Sequence, residues 1–162
     1  MAKIYISIGS NIEPARYLRE AIAELSQLLG ALELSSVYES EAVGFTGDNF
    51  LNMVVGASSE LDIGELVQQF KAIERRHGRA ANAQKFAPRT LDLDLLLYDD
   101  VVCELPVVLP RAEIVINAFV LWPLAELAPA LVHPTTASSY QTLWQKYDKA
   151  QQRLWTIDFD WQ

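Results

Sequence analysis

Hydrophobic and polar positions alternate one for one along residues 90–95 of the stretch 90–98 (TLDLDLLLY), and successive side chains of a strand point to opposite faces. Leu91, Leu93, Leu95 and Leu97 are therefore expected on one face, in a core, with Asp92 and Asp94 together on the other. The same period marks residues 3–9, where Ile4, Ile6 and Ile8 oppose Lys3, Tyr5 and Ser7. Gly9-Ser10-Asn11 should break that strand, with Ser10 or Asn11 starting a turn. Residues 32–40 (LELSSVYES) and 50–57 (FLNMVVGA) read as further strands separated by a glycine-containing loop over 41–49. Residues 101–104 read as a short edge strand and 154–161 as a closing one.

Helical spacing governs the stretches between. Over 14–29, Leu18, Ile22, Leu25 and Leu29 recur on one side, Pro14 suits the first turn and Gly30 the C-terminal cap. Asp62 caps a helix over 63–77 that buries Leu66, Phe70 and Ile73 and ends at Gly78. Residues 119–127 (FVLWPLAEL) are apolar enough to be buried on several sides, with Pro123 either in the first turn or kinking the helix. His133 falls in a proline-marked loop and is expected at the surface, and Ser138 or Ser139 caps a last helix through Tyr147. The order strand, helix, strand, strand, helix, strand, then helices predicts an α+β fold. A ferredoxin-like antiparallel sheet with helices packed on it should form a single domain over 1–162.

Composition narrows the setting. Across 162 residues, 51% hydrophobic content can fill one core, and no apolar run approaches the ~18 residues of a membrane span. The N-terminus lacks a secretory layout, and the single Cys103 cannot form an internal disulfide, so a cytoplasmic setting is expected; the protein is also expected to be a monomer. A net charge of −8 argues against nucleic acid as a partner.

The distribution of charge says more than its sum. Lys71, Arg75, Arg76, Arg79, Lys85 and Arg89 crowd one stretch against the single acid Glu74, and the stretch ends where Asp92 and Asp94 begin. Each feature alone suits a solvated face. Together they suit a metal-bound polyphosphate, since cations and metal share its charge and Mg²⁺ accepts one or two protein carboxylates. Residues 79–89 form an 11-residue loop, long for a compact domain and a candidate lid. Asn52, an amide in an apolar strand, either pairs with the protein or reads a ligand; spacing alone favours the first.

The stretches YISIGSN (5–11), SSVYES…VG…NFLNMVV (35–55), APRTLDLDLLLY (87–98) and AFVLWPLAELAP (118–129) together resemble the 6-hydroxymethyl-7,8-dihydropterin pyrophosphokinases of folate biosynthesis. The resemblance implies transfer of pyrophosphate from ATP to a pterin hydroxymethyl, with two Mg²⁺ ions held by Asp92 and Asp94. It implies that Arg79 and Arg89 bind the triphosphate, that Arg111 acts beside them, and that Glu74 reaches the nucleoside. Phe50 and Phe119 would sandwich the pterin and Asn52 would read its edge, with backbone from Ser40 and Val43; loops 41–49 and 79–89 would close over both substrates. The chain departs from the family's pattern at Arg111 (usually His), Asn117 (usually Arg), Phe86 (usually Trp), Ala81 (often basic) and the pair Glu41-Ala42. These departures open an alternative, a diverged paralogue that binds or slowly modifies a different pterin.

Overall fold

The computed structural model describes residues 1–42, 47–78 and 90–162. Its six strands are β1 (Ala2–Ser10), β2 (Glu33–Leu34), β3 (Val37–Ser40), β4 (Phe50–Ser59), β5 (Asp92–Tyr98) and β6 (Leu154–Ile157). They form one sheet in the order β5-β1-β4-β3-β6, with β2 also on β4 and every pairing antiparallel. The helices are α1 (Pro14–Leu29), α2 (Ile63–Arg76), α3 (Glu113–Ile116), α4 (Ala118–Leu127) and α5 (Tyr140–Lys146). Through β5 this is the expected ferredoxin-like arrangement, and β6 extends the sheet beyond it.

Side-chain alternation builds a core on each face. Ile4, Ile6 and Ile8 of β1, Met53 and Val55 of β4, and Leu93 and Leu95 of β5 meet Leu18, Ala21 and Leu25 of α1 and Leu66, Phe70 and Ile73 of α2. On the opposite face Tyr5, Val54 and Leu97 pack under Val120, Leu121 and Leu124 of α4 and Tyr140 of α5. The local stop signals act as expected: Asp62 and Glu65 form a capping box on α2, and Gly30 and Gly78 end their helices at φ of 81° and 90°. Ser139 is the cap of α5, accepting from Thr142 N at 3.2 Å.

Two irregularities overturn the simple alternation. Tyr5 lies opposite Leu97 but Ile6 opposite Leu95, so Leu96 is an extra residue, a β-bulge. Leu97 therefore joins Leu96 in the core under α4, rather than facing α1 and α2 with Leu93 and Leu95. The expected strand over 32–40 is likewise split: Leu34 pairs with Val55 but Tyr38 with Asn52, leaving one residue too many around Ser35-Ser36. Polar side chains replace ladder bonds there. Ser35 Oγ accepts from Val54 N at 2.9 Å, and Glu126 of α4 accepts from Ser36 N at 3.1 Å, from the Ser36 hydroxyl at 2.8 Å and from the Tyr38 hydroxyl at 2.5 Å.

Other expectations fail for identifiable reasons. β1 continues through Gly9 and Ser10 because neighbouring strands hold both in register. Residues 101–104 make only an isolated bridge between Cys103 and Leu109, and β6 stops at Ile157. Pro123 lies in the interior of α4, where its missing N–H withholds a bond from the carbonyl of Phe119. His133 is only 4% exposed: its Nδ1 accepts from Thr135 N and Thr136 N at 3.2 Å, and burial pushes its pKa down. Among the described residues no helix is long and apolar enough to cross a membrane.

Candidate active site

Register lines up the polar residues on the face of the sheet that α4 covers. Gly9 pairs with Asn52 on one side and Asp92 on the other, and Asn52 pairs with Tyr38, so four strands contribute to one level. One pleat along, Ser7 stands opposite Asp94 and Val54; one pleat the other way, Phe50 stands opposite Ser40. At this end of the sheet a cavity of about 540 Å³ opens toward the start of α4. Ser40, Phe50, Asn52, Glu74, Asp92, Asp94, Arg111 and Phe119 all line it. Val43, Arg79 and Arg89, with Ala81 and Phe86, lie outside the described residues.

Among the described residues β5 is an edge strand, and an open edge offers unpaired backbone groups to any passing strand. Here two cavity residues cover it. Glu74 is 8% exposed and its Oε2 accepts from Leu93 N at 2.8 Å, the amide between the two aspartates. Arg111 donates from its backbone N to Leu96 O at 3.0 Å and from Nε to Leu95 O at 3.1 Å, which leaves Nη2 3.7 Å from Asp94 Oδ1. The guanidinium is thus held by the bulge and turned toward the acidic pair.

Asn52 is 5% exposed, and its Nδ2 donates to Ser40 Oγ at 2.8 Å. This bond orients the carboxamide. Its Oδ1 lies over Gly9, where an added Cβ would sit 3.0 Å from that oxygen and 4.0 Å from the Phe50 ring. Gly9 therefore serves a close approach within a strand, a role its appearance as a strand breaker concealed; a lone glycine inside an alternating run is the signal that could have found it. Lys71, one turn before Glu74 on α2, also lines the cavity; sequence reasoning counted its charge without placing it in the site. Asn117, where the resemblance expects arginine, lines the cavity at 8% exposure, and its Oδ1 accepts from Gln152 Nε2 at 3.0 Å. Asn11 Nδ2 reaches across to Asp48 O at 3.2 Å, tying the end of the 41–49 segment to β1.

Residues 5–129 match the family model of 7,8-dihydro-6-hydroxymethylpterin-pyrophosphokinase (HPPK). The chain belongs to the HPPK family. Among its relatives, the 2-amino-4-hydroxy-6-hydroxymethyldihydropteridine pyrophosphokinase of Aquifex aeolicus is 36% identical over 137 residues, covering 83% of this chain and 85% of its own length. The enzyme of the same name from Bacillus subtilis is 35% identical over 139 residues, 83% of each chain. Wild-type HPPK-DHPS of Plasmodium falciparum superposes with a TM-score of 0.71 at 13% identity, over 93% of this chain and 46% of that one. This likeness carries the fold, and this chain spans less than half of that larger one. Every cavity residue named above lies within the HPPK match; β6 and α5 lie beyond it.

Proposed function

We propose that this HPPK family member transfers the terminal pyrophosphoryl group of ATP to the hydroxymethyl oxygen of 6-hydroxymethyl-7,8-dihydropterin, releasing AMP, a step in folate biosynthesis. One observation carries the reading: inside the family match, two carboxylates of one strand face share a cavity with two phenyl rings and an oriented carboxamide. Phe50 and Phe119 are assigned to the faces of the pterin, offset stacking adding ~1 kcal/mol per ring beyond burial. Asn52, its Nδ2 already steered by Ser40, reads the donor and acceptor edge of the ring, with backbone from Ser40 and Val43 beside it.

Asp92 and Asp94 fit a divalent cation. Among the described residues no three His, Cys, Asp or Glu side chains gather around a common point, and a sparse carboxylate pair suits Mg²⁺, which keeps waters and phosphate oxygens for its other positions. Two Mg²⁺ ions would neutralise charge on the bridging phosphates. Arg111, anchored through Nε, offers its outer nitrogens to the phosphates, joined by Arg79 and Arg89, and Glu74 lies on the nucleotide side. Positioning then does most of the work. The pterin oxygen attacks the β-phosphorus, the bond from that phosphorus to the α–β bridging oxygen breaks, AMP leaves with that oxygen, and the hydroxyl proton passes to solvent.

The test is AMP formation from Mg-ATP and 6-hydroxymethyl-7,8-dihydropterin by purified protein. Wild type should release AMP only when the pterin is present, and Asp94→Ala should abolish it. Wild-type AMP release no faster than in a pterin-free control would defeat the assignment.

A further inference from the structure

We infer that Gln152 is a positioning residue that sets the gap between Phe119 and Phe50 and thereby the affinity for the flat heterocycle; this rests on the pyrophosphokinase reading of the cavity. Its carboxamide is used twice. Nε2 donates to Asn117 Oδ1 at 3.0 Å, and Oε1 accepts from Ala118 N at 2.8 Å. One side chain thus holds the two residues immediately before Phe119, and it satisfies a first-turn N–H that has no partner within α4.

Two residues further on, the same segment is fixed to the opposite wall. Leu154 pairs with Ser40 in the β6–β3 ladder; Ser40 in turn pairs with Phe50 across β4 and accepts from Asn52 Nδ2. Residues 152–154 therefore join the wall carrying Phe119 to the wall carrying Phe50 and Asn52. The far end of α4 is tied separately, through Glu126 to Ser36 and Tyr38, so Gln152 acts on the end that bears the ring. The adjacent Arg153–Glu41 ion pair, at 3.3 Å and largely exposed, adds little to this tether. Gln152 lies past residue 129, where the family match ends.

Steady-state kinetics of the full chain test the assignment, with thermal unfolding recorded for each variant. Gln152→Met keeps the volume and removes both hydrogen bonds. Gln152→Glu restores an acceptor for Ala118 N at a helix start that favours an anion, and its second oxygen accepts from Asn117 Nδ2 once that carboxamide turns over. The Met variant should raise the pterin KM about tenfold, the equivalent of ~1.4 kcal/mol, while the ATP KM stays within about twofold. The Glu variant should recover most of that loss, and Arg153→Ala should stay within about twofold of wild type in both KM values. The proposal is overturned if the Met variant moves both KM values together or neither, or if the Glu variant is no better than the Met variant. A wild-type protein that forms no AMP and binds no pterin overturns the underlying reading, and the tether with it, before any variant is compared.

Discussion

Replacing Glu74 separates the proposed nucleotide contact from a structural one. The carboxylate is buried and accepts from Leu93 N at 2.8 Å, and a hydrogen bond to a charged group contributes ~1.5–3 kcal/mol. Glu74→Ala leaves that edge amide without its acceptor, at ~1–3 kcal/mol, and strips methylenes from the packed face of α2 at ~1 kcal/mol. The expected loss of unfolding free energy is about 2–4 kcal/mol, against about 1 kcal/mol for Glu74→Gln, which still presents an oxygen. Urea unfolding of the ligand-free protein is the right assay, because a residue acting only on the nucleotide contributes nothing there. Amide hydrogen exchange localises the effect: Leu93 should exchange faster in the Ala variant than in wild type. The Ala variant should also turn over more slowly at saturating ATP, since the loosened peptide joins Asp92 to Asp94. An Ala variant within about 0.5 kcal/mol of wild type, with unchanged exchange at Leu93, would refute the reasoning and leave Glu74 with the proposed nucleotide contact alone.

Two further outcomes are expected. Gly9→Ala places a methyl 3.0 Å from Asn52 Oδ1 and should raise the pterin KM more than the ATP KM; equal changes in both would speak for a general sheet defect instead. Stability should fall at alkaline pH, because burial, aided by Glu126 at Tyr38, raises the phenol pKa of both Tyr38 and Tyr140 well above the ordinary value. Their contribution is complete below about pH 10 and declines above it by about 1.4 kcal/mol per pH unit for each phenol, as the unfolded chain releases protons the native state keeps. The Tyr140 hydroxyl is buried with no hydrogen-bond partner among the described residues, so Tyr140→Phe should stabilise by about 1 kcal/mol at neutral pH and shallow the alkaline decline in denaturant midpoints. A loss of stability at neutral pH would show that the hydroxyl has a use.

What could be read from the chain was local. Asp62, Gly30 and Gly78 announce helix ends because capping is decided within one turn of sequence, and parity places Asp92 and Asp94 on one face wherever the strand lies. The bulge was hidden because Leu95-Leu96-Leu97 satisfies a core on either face and carries no period, and both faces of this sheet have a core. The contacts that Gly9, Glu74 and Gln152 make are not legible locally, because the partners Asn52, Leu93 and Asn117 stand 43, 19 and 35 residues away, at distances set by register and packing. The bulge also explains why Arg111 belongs in the site. Successive carbonyls of a regular strand point to opposite sides, one into the ladder and one outward, so a single residue beyond the edge cannot ordinarily take two in a row. The extra residue at 96 turns Leu95 O and Leu96 O toward the same neighbour, and Arg111 binds one through its side chain and the other through its backbone. A cation is thereby fixed 3.7 Å from Asp94 by two hydrogen bonds rather than by its charge, so it can keep its place when an anionic substrate competes for it.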